Sequence, residues 1–267
     1  ILISMLKNHF TGLLSDHLGY PPTQGQQRLI EVLAGFVTEN QRNRVLIIKG
    51  YAGTGKTTIV SSLVNVLESL GRKTLLLAPT GRAAKILSAY SGKHAYTIHK
   101  RIYRQKSAAD TFGIFVLEKN LFTNTLFLVD EASMISNHTG ENNIFGTGRL
   151  LDDLLQYVLN EKNCNLIIIG DTAQLPPVGT SISPALDQSV LRHYFNETLE
   201  IELTDVVRQS QQSGILVNAT LIRNNIMQKK IEIPKIHIRD FTDIQIIRSD
   251  ELSELLSQSY DTDGLEN

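Results

Sequence analysis

The stretch Gly50-Tyr51-Ala52-Gly53-Thr54-Gly55-Lys56-Thr57 constrains this chain more than any other. It satisfies G-x-x-x-x-G-K-[ST], follows the apolar run Val45-Leu46-Ile47-Ile48 and precedes a segment with helical spacing. A buried strand, a glycine-rich turn and a helix N-terminus in that order make a phosphate-binding loop. The glycines let successive backbone N–H groups converge on phosphate oxygens, and the helix adds its positive end. On this reading Lys56 reaches the β- and γ-phosphates of ATP and Thr57 ligates Mg²⁺. Gly50, Gly53, Thr54, Gly55 and Thr58 complete the expected nucleotide contacts.

Apolar runs recur at Val45–Ile48, Thr74–Ala78, Leu126–Val129 and Leu166–Ile169, mostly separated by segments of helical period. Continuous rather than alternating hydrophobicity marks strands of a parallel sheet covered on both faces. Ile59, Leu63, Val66, Leu67 and Leu70 line one face of the intervening helix, and Gly71 is suited to the left-handed residue that ends it. Arg149–Leu159 reads as another helix. The pattern is a doubly wound, mostly parallel α/β fold, with ligands expected at the carboxyl ends of the strands.

Some regions depart from the repetition. Tyr103–Asn124 joins the polar turn Lys106-Ser107-Ala108-Ala109-Asp110 to the β-prone run Phe112–Leu117, which predicts a small inserted hairpin. Ser136–Gly148 is rich in Asn, Gly, Thr and Ser and predicts a loop. Beyond Lys229 the pattern changes to strand-like pieces at Ile231–Ile238 and Ile244–Ile247 and a helix near Asp250–Tyr260. We therefore expect a first domain over 1–200, carrying the hairpin at about 103–124, and the start of a second over 201–267.

The lone cysteine, Cys164, rules out an internal disulfide framework, and the seven histidines have no zinc-site spacing. A reducing, cytoplasmic setting is the simplest reading. No apolar run approaches the roughly 18 residues that cross a bilayer, and Ile1–Leu6 is too short for a signal core. The net charge of −1 hides a segregation: Ser69–Ala109 contains no Asp or Glu but carries Arg72, Lys73, Arg82, Lys85, Lys93, Lys100, Arg101, Arg104 and Lys106. Tyr90, Tyr96 and Tyr103 are interleaved, so the stretch reads either as a nucleic-acid path or as a solvated basic surface. Adjacency to the phosphate loop favours the first.

Leu126-Phe127-Leu128-Val129 leads into Asp130-Glu131-Ala132-Ser133, the arrangement called Walker B. Asp130 is placed to hold Mg²⁺ and Glu131 to orient and deprotonate an attacking water. A further apolar strand ends in Gly170-Asp171 and continues Thr172-Ala173-Gln174-Leu175-Pro176-Pro177-Val178. A Gln174 amide beside the γ-phosphate would distinguish ATP from ADP. The paired prolines either stiffen that loop or simply end the strand unit.

This ordered series resembles the motifs of the RecD-like branch of superfamily 1 DNA helicases, to which Dda and Pif belong, over about residues 20–225. Thr23-Gln24-Gly25-Gln26 resembles the adenine-recognising motif, with Gln26 as reader. Ala78–Ala84 and Thr97-Ile98-His99 are similar to short DNA-contacting motifs, which implies contacts from Thr80, Arg82 and His99. Leu203–Gln209 resembles the motif whose arginine touches the γ-phosphate, which implies that Arg208 is an arginine finger. The resemblance implies a RecA-like ATPase domain, ATP and Mg²⁺ as cofactors, a bacterial cytosolic or nucleoid location, and single-stranded DNA and duplex junctions as partners. It further implies 5′ to 3′ movement, with the hairpin as a strand-splitting pin. The family's later motifs are missing before Asn267, so the chain reads as a fragment ending early in a second RecA-like domain.

Rival readings are a motor subunit that works beside a nuclease or other repair subunits, a nucleotide-switched nucleic-acid clamp that does not translocate, and a nucleotide kinase. The last gives no reason for Gln174 or Arg208.

Overall fold

The computed structural model describes residues 2–39, 41–106, 113–139, 144–160, 163–205, 213–228, 233–239 and 241–263. The chain divides into two units, Ile1–Val206 and Val207–Asn267.

The first unit runs α1 (Leu2–Leu18), α2 (Gln24–Thr38), β1 (Arg44–Gly50), α3 (Lys56–Ser69), β2 (Lys73–Ala78), α4 (Gly81–Ser91), β3 (Ala95–Thr97), α5 (Ile98–Ile102), β4 (Tyr103–Gln105), β5 (Phe115–Leu117), β6 (Thr125–Val129), α6 (Leu150–Leu159), β7 (Asn165–Gly170), α7 (Gln188–Leu191) and β8 (Glu197–Leu203). Six strands form one sheet in the order β3-β2-β6-β7-β1-β8. Every neighbouring pair in it is parallel. Pleating sends alternate residues of each strand to opposite faces. Leu46, Ile48, Leu76, Leu128, Ile167 and Ile169 therefore meet α1 to α4, through side chains such as Phe10, Leu14, Leu33 and Leu63. Val45, Ile47, Leu77, Phe127, Leu166 and Ile168 meet the other face, where Leu151, Leu154, Leu155 and Val158 of α6 cover them. Coverage on both faces explains the unbroken apolar runs, and each such side chain contributes about 1.5–3 kcal/mol by leaving water.

Register decides where the chemistry emerges. Lys49 lies opposite Gly170, and Val129 opposite Ile168. The residues that follow β1, β6 and β7 consequently leave the same edge of the sheet side by side. Gly71 adopts the expected left-handed conformation, φ 66°, and closes α3 with Arg72 N donating to Leu67 O at 2.8 Å.

The inserted hairpin is present as β4 paired antiparallel to β5, Tyr103 with Leu117 and Gln105 with Phe115. Of its expected turn, Lys106–Asp110, residues 107–110 lie outside the described residues. The loop after Ser136 lies along this hairpin: Phe115 N donates to Ile144 O, and Gly146 N to Phe115 O, at 2.7 and 2.8 Å.

The structure departs from the sequence reading at the residue-200 boundary and in the strand-like pieces of the tail. The apolar start of the chain belongs to α1, whose Phe10, Leu14 and Leu18 are buried at helical spacing. A domain boundary at residue 200 would cut β8, which pairs with β1 along its whole length from Arg44–Glu197 to Gly50–Leu203. The division falls after Val206 instead.

In the second unit α8 (Gly214–Met227) and α9 (Leu252–Asp263) are helical. The described parts of the strand-like pieces at Ile231–Ile238 and Ile244–Ile247 form no strand. Ile233 and Ile246 are 93% and 78% exposed. An apolar run becomes a strand only where a partner ladder takes its backbone groups. Inside this unit Asn218 bridges segments, donating from Nδ2 to His237 O and accepting from His237 N.

Candidate nucleotide and nucleic-acid site

The phosphate loop is built by backbone geometry. Gly53 and Gly55 have φ of 78° and 85°, the left-handed region that favours glycine. Gly55 also permits close packing, because a Cβ there would lie 2.4 Å from Gln26 Nε2. Thr54 is fully buried, and its hydroxyl donates to Tyr51 O at 2.8 Å, pinning the turn.

A cleft of about 320 Å³ opens above the loop, lined by Tyr51, Gly53, Gly55, Lys56, Thr57, Thr58, Tyr90, Asp130, Glu131, Asp171 and Gln174. Gly50 and Thr54 shape the loop from beneath and do not line it. Lys56 Nζ donates to Gly50 O and Tyr51 O, so the ammonium sits within the loop that it serves. Burial pushes the Lys56 pKa down, opposed by Asp171, Asp130 and Glu131. Burial pushes the Asp130 carboxyl up, and the neighbouring Glu131 charge adds to that, while the Glu131 N–H and Lys56 act against it.

Among the described residues no group of three or more His, Cys, Asp or Glu is arranged to hold a metal. Magnesium does not require one, since it is commonly held by one or two protein oxygens together with water and substrate phosphates. The Thr57 hydroxyl and Asp130 carboxylate face one cleft and supply such hard oxygen donors. Bound there, Mg²⁺ would neutralise phosphate charge.

Glu131 has φ 54° and ψ 37°, a left-handed conformation that costs a non-glycine residue about 1–2 kcal/mol. Gln174 Nε2 donates to Glu131 Oε2 at 3.1 Å, and Ser133 Oγ donates to Gln174 Oε1 at 2.7 Å. The loop that carries Gln174 turns on Asp171, whose Oδ1 accepts from Ala173 N at 2.8 Å.

Gln26, the expected adenine reader, lies behind the phosphate loop. It is fully buried, its Oε1 accepts from Thr23 N and its Nε2 donates to Thr54 O, both at 3.0 Å. The side chain therefore clips α2 to the underside of the phosphate loop. Arg208 lies outside the described residues.

Thr80, Arg82 and His99 are distributed over α4 and α5. The Thr80 hydroxyl caps α4, accepting from Ala83 N at 3.2 Å, and Arg82 beside it is exposed. His99 is half-buried, with ring centroids 4.9 Å from Phe145 and 5.8 Å from Tyr103. Burial pushes its pKa down, which keeps the imidazole neutral near pH 7.

The basic stretch does not form one continuous surface. Lys93 donates to Thr74 Oγ1, the Arg101 guanidinium stacks over Phe122 and Tyr96, and Tyr103 is buried with its hydroxyl on Asp153. Arg72, Lys73, Arg82, Lys85, Lys100, Arg104 and Lys106 remain exposed. Sequence reasoning overlooked Asp171, Ser133 and Tyr90 as members of the cleft or its support. Only Asp171 gave a signal, as the polar residue ending an apolar strand.

A family model described as an AAA domain matches residues 23–237. The chain belongs to that family. This AAA domain is 30% identical over 196 residues to the ATP-dependent RecD2 DNA helicase of Deinococcus radiodurans, covering 73% of the chain and 24% of that protein. It is 30% identical over 205 residues to the ATP-dependent DNA helicase dda of Enterobacteria phage T4, covering 76% and 42%. The chain thus spans less than half the length of either relative. Among solved structures, the Pif1 helicase of Candida albicans matches 91% of the chain and 55% of its own at 18% identity, TM-score 0.48. The RecD2 and dda relatives are DNA helicases of the kind that the motif order resembles. No helix among the described residues is long and apolar enough to cross a membrane.

Proposed function

We propose that this AAA domain is the nucleotide-hydrolysing part of an ATP-driven DNA motor that moves 5′ to 3′ on single strands and separates duplex at junctions. One observation carries the reading: Lys56, Thr57, Asp130, Glu131 and Gln174 converge on a single cleft, with Gln174 bonded to Glu131. Lys56 and the loop amides bind the β- and γ-phosphates, and Thr57 and Asp130 would hold Mg²⁺, which would neutralise phosphate charge. Glu131 takes a proton from water as its oxygen attacks the γ-phosphorus, and the bond to the β–γ bridging oxygen breaks with its electrons going to ADP. Gln174 reports whether the γ-phosphate is present. Arg208 stabilises the charge that develops in the transition state, a role worth roughly 10³ to 10⁵-fold in rate.

Thr80, Arg82 and His99 are assigned to the strand, Arg82 as a phosphate contact and neutral His99 as an aromatic surface. The β4–β5 hairpin serves as the pin, and the second unit begins a second RecA-like domain. A nuclease or other repair subunits would act beside such a motor.

Single-strand-stimulated ATP hydrolysis by the intact protein tests the reading. DNA raises the rate, and Glu131→Gln and Arg208→Ala abolish it while nucleotide still binds. Hydrolysis indifferent to DNA would sink the motor assignment. Displacement of a strand from a duplex with a 5′ overhang, and not a 3′ one, checks the polarity.

A further inference from the structure

We infer that Ser133 is a positioning residue that fixes the Gln174 amide against Glu131, an inference that rests on the hydrolytic reading above. Ser133 is 2% exposed and lies in the tight turn Ala132–Met134. That turn is braced, because the buried Ser183 hydroxyl shares its single proton between Ala132 O and Ile135 O, each 2.8 Å away, and Ile135 N donates to Ala132 O at 3.1 Å. Gln174 sits instead on an exposed loop whose Leu175 and Val178 are 90% and 98% exposed. Packing does not hold its side chain, so its orientation depends on the hydrogen bonds to the amide.

The direction of those bonds follows from chemistry. An ionised carboxylate only accepts, so Gln174 must present Nε2 to Glu131 and turn Oε1 away. Ser133 Oγ stands 2.7 Å from Oε1 and is the donor that this orientation requires. Without the hydroxyl, a half-turn of the amide would set Oε1 against a carboxylate oxygen and break the link between γ-phosphate sensor and general base. The sequence separation of 41 residues between Ser133 and Gln174 hides the pair from any local motif.

The test compares Ser133→Ala, Ser133→Thr, Gln174→Ala and the double Ser133→Ala/Gln174→Ala variant of the intact protein. Ser133→Ala should lower kcat for single-strand-stimulated hydrolysis about tenfold while leaving KM within about twofold, the scale of one positioning hydrogen bond. Ser133→Thr should restore most of the rate, and the double variant should lose no more than Gln174→Ala alone. Additive losses, or a change confined to KM, would overturn the assignment.

A second measurement does not depend on turnover. In a ¹H–¹⁵N spectrum the Gln174 side-chain amide peak should move and exchange faster with solvent in Ser133→Ala, while phosphate-loop peaks stay in place. An unmoved amide peak would overturn the inference. A moved peak in a protein that hydrolyses no ATP would retain it and remove the hydrolytic reading instead.

Discussion

Gln26→Ala separates a base reader from a structural clip. Family resemblance casts Gln26 as the residue that recognises adenine, whereas the structure buries it completely between Thr23 N and Thr54 O. Truncation removes the donor to the Thr54 carbonyl in a buried setting. An unpaired buried polar group costs about 1–3 kcal/mol, equivalent to roughly 5- to 150-fold in affinity if binding must restore the loop. The cost falls on the phosphate cradle, not on the base, because Gln26 is held against the backbone that carries Gly55 and Lys56. Calorimetric titration of the intact protein with ATP, GTP and inorganic tripolyphosphate reads the difference. All three should weaken by a similar factor. A loss confined to ATP, with GTP and tripolyphosphate unchanged, would refute the clip and restore the reader.

Gly55→Ala should abolish nucleotide binding, because the new methyl meets Gln26 Nε2 at 2.4 Å on a backbone of φ +85°; wild-type affinity in the same titration would contradict the loop geometry. Tyr103→Phe should cost about 1–2 kcal/mol in urea unfolding while nucleotide affinity holds, since the lost hydroxyl serves buried Asp153, which also accepts from Thr147 N and Oγ1. His99 supplies a pH test. Its folded pKa lies below the ordinary 6.5, so the folded state binds fewer protons, and stability should be full above pH 6.5 and fall as the pH drops through the window beneath it. His99→Phe should flatten that fall in the urea midpoint measured between pH 7 and pH 5. Arg82→Ala should weaken single-strand binding and reduce the slope of log affinity against log salt by about 0.7, the contribution of one phosphate contact; an unchanged slope would remove Arg82 from the path.

The sequence by itself determined the parallel sheet and the phosphate loop because both are written locally. Strands buried on two faces must be continuously apolar, as Val45–Ile48 and Leu166–Ile169 are, and a loop that wraps phosphate must combine glycines with a following helix start. Asp130 was equally legible, as the polar end of such a strand. The edge strand β8 was not, because Glu197-Thr198-Leu199-Glu200-Ile201 alternates and its acids gain their place only from β1, Glu200 pairing with Lys49 at 2.9 Å. Tertiary structure alone decided that Gln26 faces the loop, that His99 and Arg101 sit among aromatic rings, and that Ser133 holds Gln174 to Glu131. Residue type states what a side chain can donate or accept. Which partner it meets depends on strand order and register, which bring together groups that lie tens of residues apart in the chain.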